Sequence, residues 1–275
     1  MFNKGNSPEK SFSTPCILCG GKQATPLFER KGIRFSKCPH CGLVYQDPPP
    51  SVDKNREFYE ENYYKSLGPS VEQIDEARIP LYRSLLGDCR GFRQTGRLLD
   101  VGCGHGGFLE IAQEEEWEIW GIEPSRDASS FAQKLLGKNI LNGTVEEIDF
   151  PEGYFDVITL WNVVDYLLNP SEVMRKIYRW LSLGGVLILR TPNVRFHLWV
   201  YRFYSRFEGV LKKFGWHKEP AVFLRANFDR NTLRRLLSQS GFRSGCVKNA
   251  KLTSGDAYRV FSHSFFMTLG KAFLG

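Results

Sequence analysis

Four of the seven cysteines stand in two close pairs, Cys16-Ile17-Leu18-Cys19 and Cys38-Pro39-His40-Cys41, separated by the 18 residues from Gly20 to Lys37. Four thiolates at this spacing suit a tetrahedral Zn²⁺. With all four ligands supplied by protein there is no open coordination position, so such a metal is structural and not catalytic. Gly20 and Gly42 follow the two pairs and relax the turns that aim backbone amides at the sulfurs. A redox dithiol needs only one pair, and a secreted disulfide framework fits an odd number of cysteines poorly. Cys89, Cys103 and Cys246 are isolated and read as small apolar fillers.

A second group of residues is built on glycine and carboxylate. Asp100-Val101-Gly102-Cys103-Gly104-His105-Gly106-Gly107 satisfies a dinucleotide-type loop, and Glu123 lies 19 residues beyond Gly104. Glycines let a backbone approach a bound nucleoside, and a carboxylate at that distance can accept hydrogen bonds from both ribose hydroxyls. A nicotinamide cofactor and S-adenosylmethionine would use both features alike, so the loop alone does not choose between them.

These groups need elements to hold them. Leu98-Leu99-Asp100-Val101 reads as a buried strand that runs into the glycine loop and then a helix near Gly106. Trp120 to Glu123 ends a second strand. Tyr154 to Asn162 is an apolar strand opened by Phe155-Asp156, and Leu181 to Leu189 is a helix end that turns through Gly184-Gly185 into another strand. Asn227 to Phe242 reads as a capped helix ending at glycine, then a strand.

In nearly every recognisable segment from about Arg97 to Phe242 the chain resembles class I S-adenosylmethionine-dependent methyltransferases. The stretch Cys38-Pro39-His40-Cys41-Gly42-Leu43-Val44-Tyr45-Gln46-Asp47-Pro48, followed by Phe58-Tyr59 and Tyr63-Tyr64, extends the likeness to the zinc-ribbon methyltransferases of polysaccharide and natural-product pathways. The resemblance implies an α/β fold: a seven-stranded, mostly parallel Rossmann-like sheet with helices on both faces and a small amino-terminal ribbon. It implies methyl transfer to an O, N or C nucleophile, with Asp100, Gly102, Cys103 and Gly104 in the first cofactor loop. Glu123 and Pro124 would lie at the ribose, Thr144 and Val145 beside adenine, and Trp161 on the pocket wall. Where relatives frequently show a histidine and a Glu-His pair, this chain has Asn162 and Asp165-Tyr166. Asn162 and Tyr166 are therefore candidates to orient or deprotonate the acceptor, or to wall the cofactor pocket. His105, in the glycine loop, is expected to be neutral beside a sulfonium.

The boundaries expected are a ribbon at 13–48, a proline-stiffened linker and helical lead-in at 49–90, and the methyltransferase domain at 91–275. Phe58, Tyr59, Tyr63 and Tyr64 are expected to pack the lead-in helix on the main domain, the alternative being that one or more of them closes over the cofactor or substrate. Composition, 42% hydrophobic and 24% charged, is that of a folded globular protein. The start shows no secretory apolar stretch and no run is long enough to span a bilayer, which points to the cytosol. From Val194 onward there are 15 Lys+Arg against 4 Asp+Glu, net +11, while the part before it carries 22 against 26, net −4. A basic back half invites nucleic acid, phosphorylated sugars or an anionic membrane surface.

From about Arg195 to Lys218, Phe196, Val200, Phe203, Phe207, Val210 and Phe214 recur at helical spacing with Arg202, Arg206, Lys212 and Lys213 on other faces. This basic amphipathic helix is expected over the strand carboxyl ends, where it could lie on the inner face of a membrane, cap the acceptor cleft or pack on the domain. The tail from Ser262 is apolar, without alternation, and suited to packing on that helix or on a second subunit. The preferred reading is a methyltransferase for a small-molecule acceptor, such as a sugar, glycolipid or natural-product intermediate, phosphorylated or lipid-linked. The rivals are an RNA methyltransferase docked through the ribbon and basic half, and a non-catalytic cofactor-binding scaffold.

Overall fold

The computed structural model describes residues 14–30, 32–51, 54, 57, 78–214, 221–243, 245–249 and 264–270. The aromatics Phe58, Tyr59, Tyr63 and Tyr64 lie outside the described residues. The chain opens with β1 (Thr25–Arg30), β2 (Ile33–Lys37) and β3 (Val44–Gln46), and enters the main domain through α1 (Ile79–Cys89). Then follow β4 (Arg97–Val101), α2 (Gly107–Glu114), β5 (Glu118–Glu123), α3 (Arg126–Leu136), β6 (Ile140–Asn142) and β7 (Phe155–Trp161). The remainder is α4 (Pro170–Trp180), β8 (Leu181–Pro192), α5 (Val194–Lys213), β9 (Ala226–Asn227), α6 (Arg230–Gln239), β10 (Cys246–Asn249) and β11 (Ser264–Gly270).

The large sheet runs in the order β10-β11-β8-β7-β4-β5-β6, with β11 antiparallel to β8 and β10 and the strands from β8 to β6 parallel. Covered on both faces, its central strands are continuous apolar runs and not alternating ones. Leu98 faces α1 and α2 with Tyr82, Leu86 and Leu109, while Leu99 joins the opposite core with Ile158, Met174, Ile177 and Trp180. Local chemistry sets the helix ends. The Ser125 hydroxyl accepts from the Ala128 amide at the start of α3, and Asp229 with Thr232 forms a capping box on α6.

Three expectations need amendment. Gly184-Gly185 does not separate helix from strand: β8 already begins at Leu181, and the glycines sit in an irregularity where its pairing jumps from Phe155↔Leu181 to Val157↔Val186. The stretch Ser264–Gly270 is a sheet strand against β8 and not a packing tail, because its register pairs Ser264 with Pro192 through Gly270 with Val186. The buried face of α5 meets the ribbon: the Phe28 ring lies 4.4 Å from Tyr201 and 4.6 Å from Phe223, and Phe35 stacks on Phe28 at 5.1 Å.

The ribbon does not close on itself. Its sheet order is β1-β2-β3-β9, so the fourth strand comes from the far end of the chain, with Val44↔Asn227 and Tyr45↔Ala226 in register. The Asn227 side chain fixes the junction, donating to the Val44 carbonyl at 3.2 Å and accepting from the Leu224 amide at 2.8 Å. Cys16, Leu18, Cys38, Leu43 and Tyr45 share one core with Ala226, Phe228 and Leu233.

Candidate functional site

At the ribbon, the four cysteine sulfurs lie within 4.8 Å of one another. Cys16 to Cys41 and Cys19 to Cys38 are each 3.5 Å apart. A tetrahedron of thiolates about 2.3 Å from Zn²⁺ needs sulfurs roughly 3.8 Å apart, so the cluster is of the right size. Each knuckle is closed from its own backbone, Gly20 donating to the Cys16 carbonyl at 2.8 Å and Gly42 to that of Cys38 at 2.9 Å. Gly21 must stay small, since an added Cβ would lie 2.9 Å from His40 and 3.3 Å from the Cys19 sulfur. The Cys41 thiol hydrogen-bonds the Cys16 sulfur, which lowers Cys16 to about 5 and raises Cys41, while burial raises Cys19. Thiols bind a metal as thiolates, so a divalent cation among these four sulfurs would be bound with release of their protons.

The second site lies at the carboxyl ends of the parallel strands, where β4, β5 and β6 run outward in one direction and β7 and β8 in the other. This reversal opens a crevice between β4 and β7. Gly102 leaves β4 with φ +73°, and its amide and that of Cys103 donate to the Ile122 carbonyl at 2.8 and 3.1 Å. A Cβ on Gly102 would lie 2.5 Å from Val163 Cγ2, so the loop passes against the segment after β7. The Glu123 carboxylate is buried and faces this loop, accepting from the Gly104 amide at 2.9 Å through Oε2 and from the Ser125 amide at 2.9 Å through Oε1. An ionised carboxylate has about four acceptor positions, so this is a group able to accept from vicinal hydroxyls.

Asp100 is buried beneath the loop and accepts from the Thr159 hydroxyl at 2.6 Å. Burial pushes its carboxyl up to about 8, with Glu123 adding to the rise and the Thr159 bond opposing it. Cys103 turns its side chain into the core, where burial raises the thiol well above its ordinary value. Gly143 donates to the Glu123 carbonyl at 3.1 Å, bringing 143–145 alongside. The Thr144 amide is held by the Glu147 carboxylate at 3.1 Å, and the Val145 side chain is in the core. Asn142 went unnoticed in the sequence; its amide donates to the carbonyls of Glu123 and Pro124 at 3.0 and 3.2 Å and locks that corner.

On the other bank, Trp161 ends β7 edge-on to Tyr82 and Phe108, with ring centroids 5.1 and 5.2 Å away. Tyr82 sits on α1, a helix without a motif of its own that reaches the site through packing alone. Arg190, in β8, is buried nearby and its charge acts on the Tyr82 hydroxyl. Asn162 follows Trp161 with φ +57°, a left-handed conformation that asparagine tolerates better than most residues, and its amide donates to the Arg190 carbonyl at 2.9 Å. Such strain at a strand end is characteristic of functional turns. Tyr166 is buried in the same loop. His105, in the glycine loop, sets its ring edge-on to Phe131 of α3 at 5.3 Å. Asp165 drew attention only as a replaced residue. It is buried, Oδ1 accepts from the Thr191 hydroxyl, Oδ2 has no hydrogen-bond partner among the described residues, and burial pushes its carboxyl up to about 8.

A parallel sheet reversing at this crevice, a glycine loop clasped by an acid on the next strand, and a strained turn facing both define a class I S-adenosylmethionine-dependent methyltransferase. A family model described as a methyltransferase domain matches residues 74–246, and the chain belongs to that family. It is 27% identical to a ubiquinone/menaquinone biosynthesis C-methyltransferase of Pectobacterium carotovorum over 61% of this chain and 74% of that protein. It is also 27% identical to the chloroplastic 2-methyl-6-phytyl-1,4-hydroquinone methyltransferase 1 of Oryza sativa, over 58% of this chain and 52% of that one. A solved S-adenosylmethionine-dependent methyltransferase from Mesorhizobium loti shares the fold, with TM-score 0.51 and 16% identity over 71% of this chain and 98% of that one. No described helix is long and apolar enough to cross a membrane.

Proposed function

We propose that the chain methylates a small molecule, with the acceptor entering on the Trp161 to Tyr166 side of the crevice and Zn²⁺ held by Cys16, Cys19, Cys38 and Cys41. The observation that carries this reading is the Glu123 carboxylate fastened to the Gly104 amide at 2.9 Å, which sets an acceptor for ribose hydroxyls against the glycine loop. S-adenosylmethionine supplies an already activated methyl carbon, which an acceptor lone pair takes as the carbon–sulfur electrons leave with S-adenosylhomocysteine and the acceptor proton goes to water or a base. Because that carbon needs no further activation, the protein's part is positioning and exclusion of water, for which roughly 7 to 11 kcal/mol is available from effective molarity.

Glu123 and the glycine loop hold the nucleoside. The 143–145 segment borders the adenine side, and Trp161, Tyr82 and Phe108 close the crevice with apolar surface. The main-chain amide of Asn162 is bonded to the Arg190 carbonyl, and its side chain, carried on that turn, can orient an acceptor hydroxyl or carbonyl. The two relatives act, by their names, on quinone-pathway compounds, which supports a small acceptor with an apolar or lipid-linked part.

Titration calorimetry with S-adenosylhomocysteine and NADH tests the cofactor: uptake of the first and not the second is expected, and the opposite result overturns the proposal. Incubation with methyl-labelled cofactor and a cell extract then tests the acceptor. Label should appear in low-molecular-weight, solvent-extractable material; label confined to RNA would overturn the small-molecule reading.

A further inference from the structure

The helix α5 carries more apolar surface than its packing uses. Its first half is held by Val194, His197, Val200 and Tyr204, which are buried, and by the ring cluster of Tyr201, Phe28 and Phe223. His197 Nδ1 also accepts from the Val222 amide at 3.1 Å. From Ser205 to Phe214 every residue except the half-buried Leu211 is exposed. Along the whole of α5 and its C-cap, Trp199 is 63% exposed, Phe203 47%, Phe207 45%, Val210 54% and Phe214 79%.

At about 100° per residue these five side chains fall within roughly 80° of the helix circumference, about 110° from the centre of the packed face. They form a continuous stripe: the Trp199 ring stacks on Phe203 at 5.8 Å, and Phe203 meets Phe207 at 5.0 Å. Arg195, Arg202, Arg206 and Lys213 are all exposed and fall on one narrow arc along a single edge of the stripe. Among the described residues the ion pair on this helix is Lys212 with Glu208 at 2.8 Å, on a different arc, so the basic row is not neutralised by it.

We propose that α5 is an in-plane anchor for an anionic phospholipid surface, with the aromatic stripe entering the headgroup and acyl boundary and the Arg195, Arg202, Arg206 and Lys213 row lying on the lipid phosphates. An aromatic-rich apolar stripe with an arginine and lysine edge is the amphipathic pattern that partitions into such an interface. Rigid seating of the first half on the ribbon presents the second half as a projecting arm about 15 Å long. The charge pattern disfavours a second copy as the occupant, because an antiparallel pairing of two stripes about a twofold axis would bring the two basic rows together. The helix starts directly after β8, whose carboxyl end borders the crevice, so a docked α5 holds the open edge of the sheet near the bilayer. The inference rests on α5 alone and stands whether or not the acceptor is lipid-linked.

Flotation of the full chain tests it, with vesicles of phosphatidylcholine alone and with about one third phosphatidylglycerol. Wild type should float with the anionic vesicles, at least about ten-fold more weakly with neutral ones, and lose binding as salt is raised. Phe203→Ser with Phe207→Ser, and separately Arg202→Gln with Arg206→Gln, should each cut the partition coefficient at least about ten-fold. All of these side chains are exposed, and unchanged affinity for S-adenosylhomocysteine in both variants shows that the fold and cofactor site are intact. The proposal is overturned if wild type does not float, or if both double variants float as wild type does. It is equally overturned if the same substitutions instead abolish a dimer seen in ultracentrifugation, or RNA binding, with no vesicle binding at all.

Discussion

Arg225 donates from Nη1 to the main-chain carbonyl of Tyr166 at 2.7 Å, while its own carbonyl accepts from the Gln46 amide of the ribbon at 2.9 Å. Its guanidinium also lies 6.0 Å from the Tyr166 ring centroid. One residue therefore joins the last ribbon strand to the 163–167 loop, on the side where the acceptor is proposed to enter. Removing the guanidinium by Arg225→Met keeps the β3 and β9 pairing, which uses backbone only, and frees that carbonyl. A charge-assisted bond of this kind contributes about 1.5 to 3 kcal/mol, less here because Arg225 is partly exposed. Hydrogen exchange at 163–167 should accelerate several-fold while 98–101 and S-adenosylhomocysteine affinity stay unchanged; unchanged exchange in that loop would mean that the bond holds nothing.

Metal removal should act along the same route and further. With the four sulfurs released, the two knuckles lose the tie that a bound metal would make between them, and β3, which follows the second knuckle, loses its support. Chelation, or Cys38→Ser, should abolish the bound equivalent of zinc, lower the melting temperature, and raise exchange at 44–46 and 226–227 before that of the large sheet. A protein containing no zinc when purified in zinc-supplemented medium would refute the metal site.

Much of the fold could be read from local pattern, because buried parallel strands leave continuous apolar runs and glycine loops leave fixed spacings. Leu98 to Val101, the glycine loop, Glu123 and the paired cysteines were legible on those grounds. What was hidden depends on contacts far apart in sequence. Nothing in Ala226-Asn227 marks it as a ribbon strand, since two residues carry no period and its partner is 180 residues away. Tyr82 reaches Trp161 only because α1 folds onto the sheet. Ser264–Gly270 lacks alternation, so no period marks it as the strand that pairs with β8. At the site, spacing brought His105 and Tyr166 equally into consideration, and only the three-dimensional path of the loop puts His105 against Phe131.

Gly102 is the position where an added methyl should do most harm. Its φ of +73° disfavours any side chain, and the new Cβ would sit 2.5 Å from Val163 Cγ2. Gly102→Ala should destabilise the protein by about 2 kcal/mol and weaken S-adenosylhomocysteine binding more than about ten-fold. Adding Val163→Ala removes the clash but not the backbone strain, so it should restore only part of both losses. Full recovery would assign the whole effect to packing.

Glu123→Gln separates holding the loop from holding the nucleoside. The amide oxygen can still accept from one of the Gly104 and Ser125 amides, whereas the new NH₂ faces the other donor. Stability should fall by about 1 to 2 kcal/mol, and affinity for S-adenosylhomocysteine by about ten- to a hundred-fold. Affinity for 2′- and 3′-deoxy analogues should fall much less, since they have a hydroxyl fewer to lose. Equal losses for all three ligands in calorimetry would remove Glu123 from the ribose.

Asp165 predicts how stability depends on pH. Burial raises its carboxyl to about 8 in the fold, against about 3.9 in an unfolded chain, so between these values the folded state binds the extra proton. Its contribution is then fully present below about pH 4, is lost progressively as pH rises, and is gone once pH passes about 8. Asp165→Asn keeps a group able to bond the Thr191 hydroxyl and does not titrate. Denaturant midpoints for the two proteins should be similar near pH 4 and diverge upward, with the variant more stable by up to a few kcal/mol at pH 9. Asp100, raised to about 8 by the same cause, remains in both proteins and cancels in the comparison. A difference that shrinks with rising pH would show that the carboxyl is ionised and compensated in the fold.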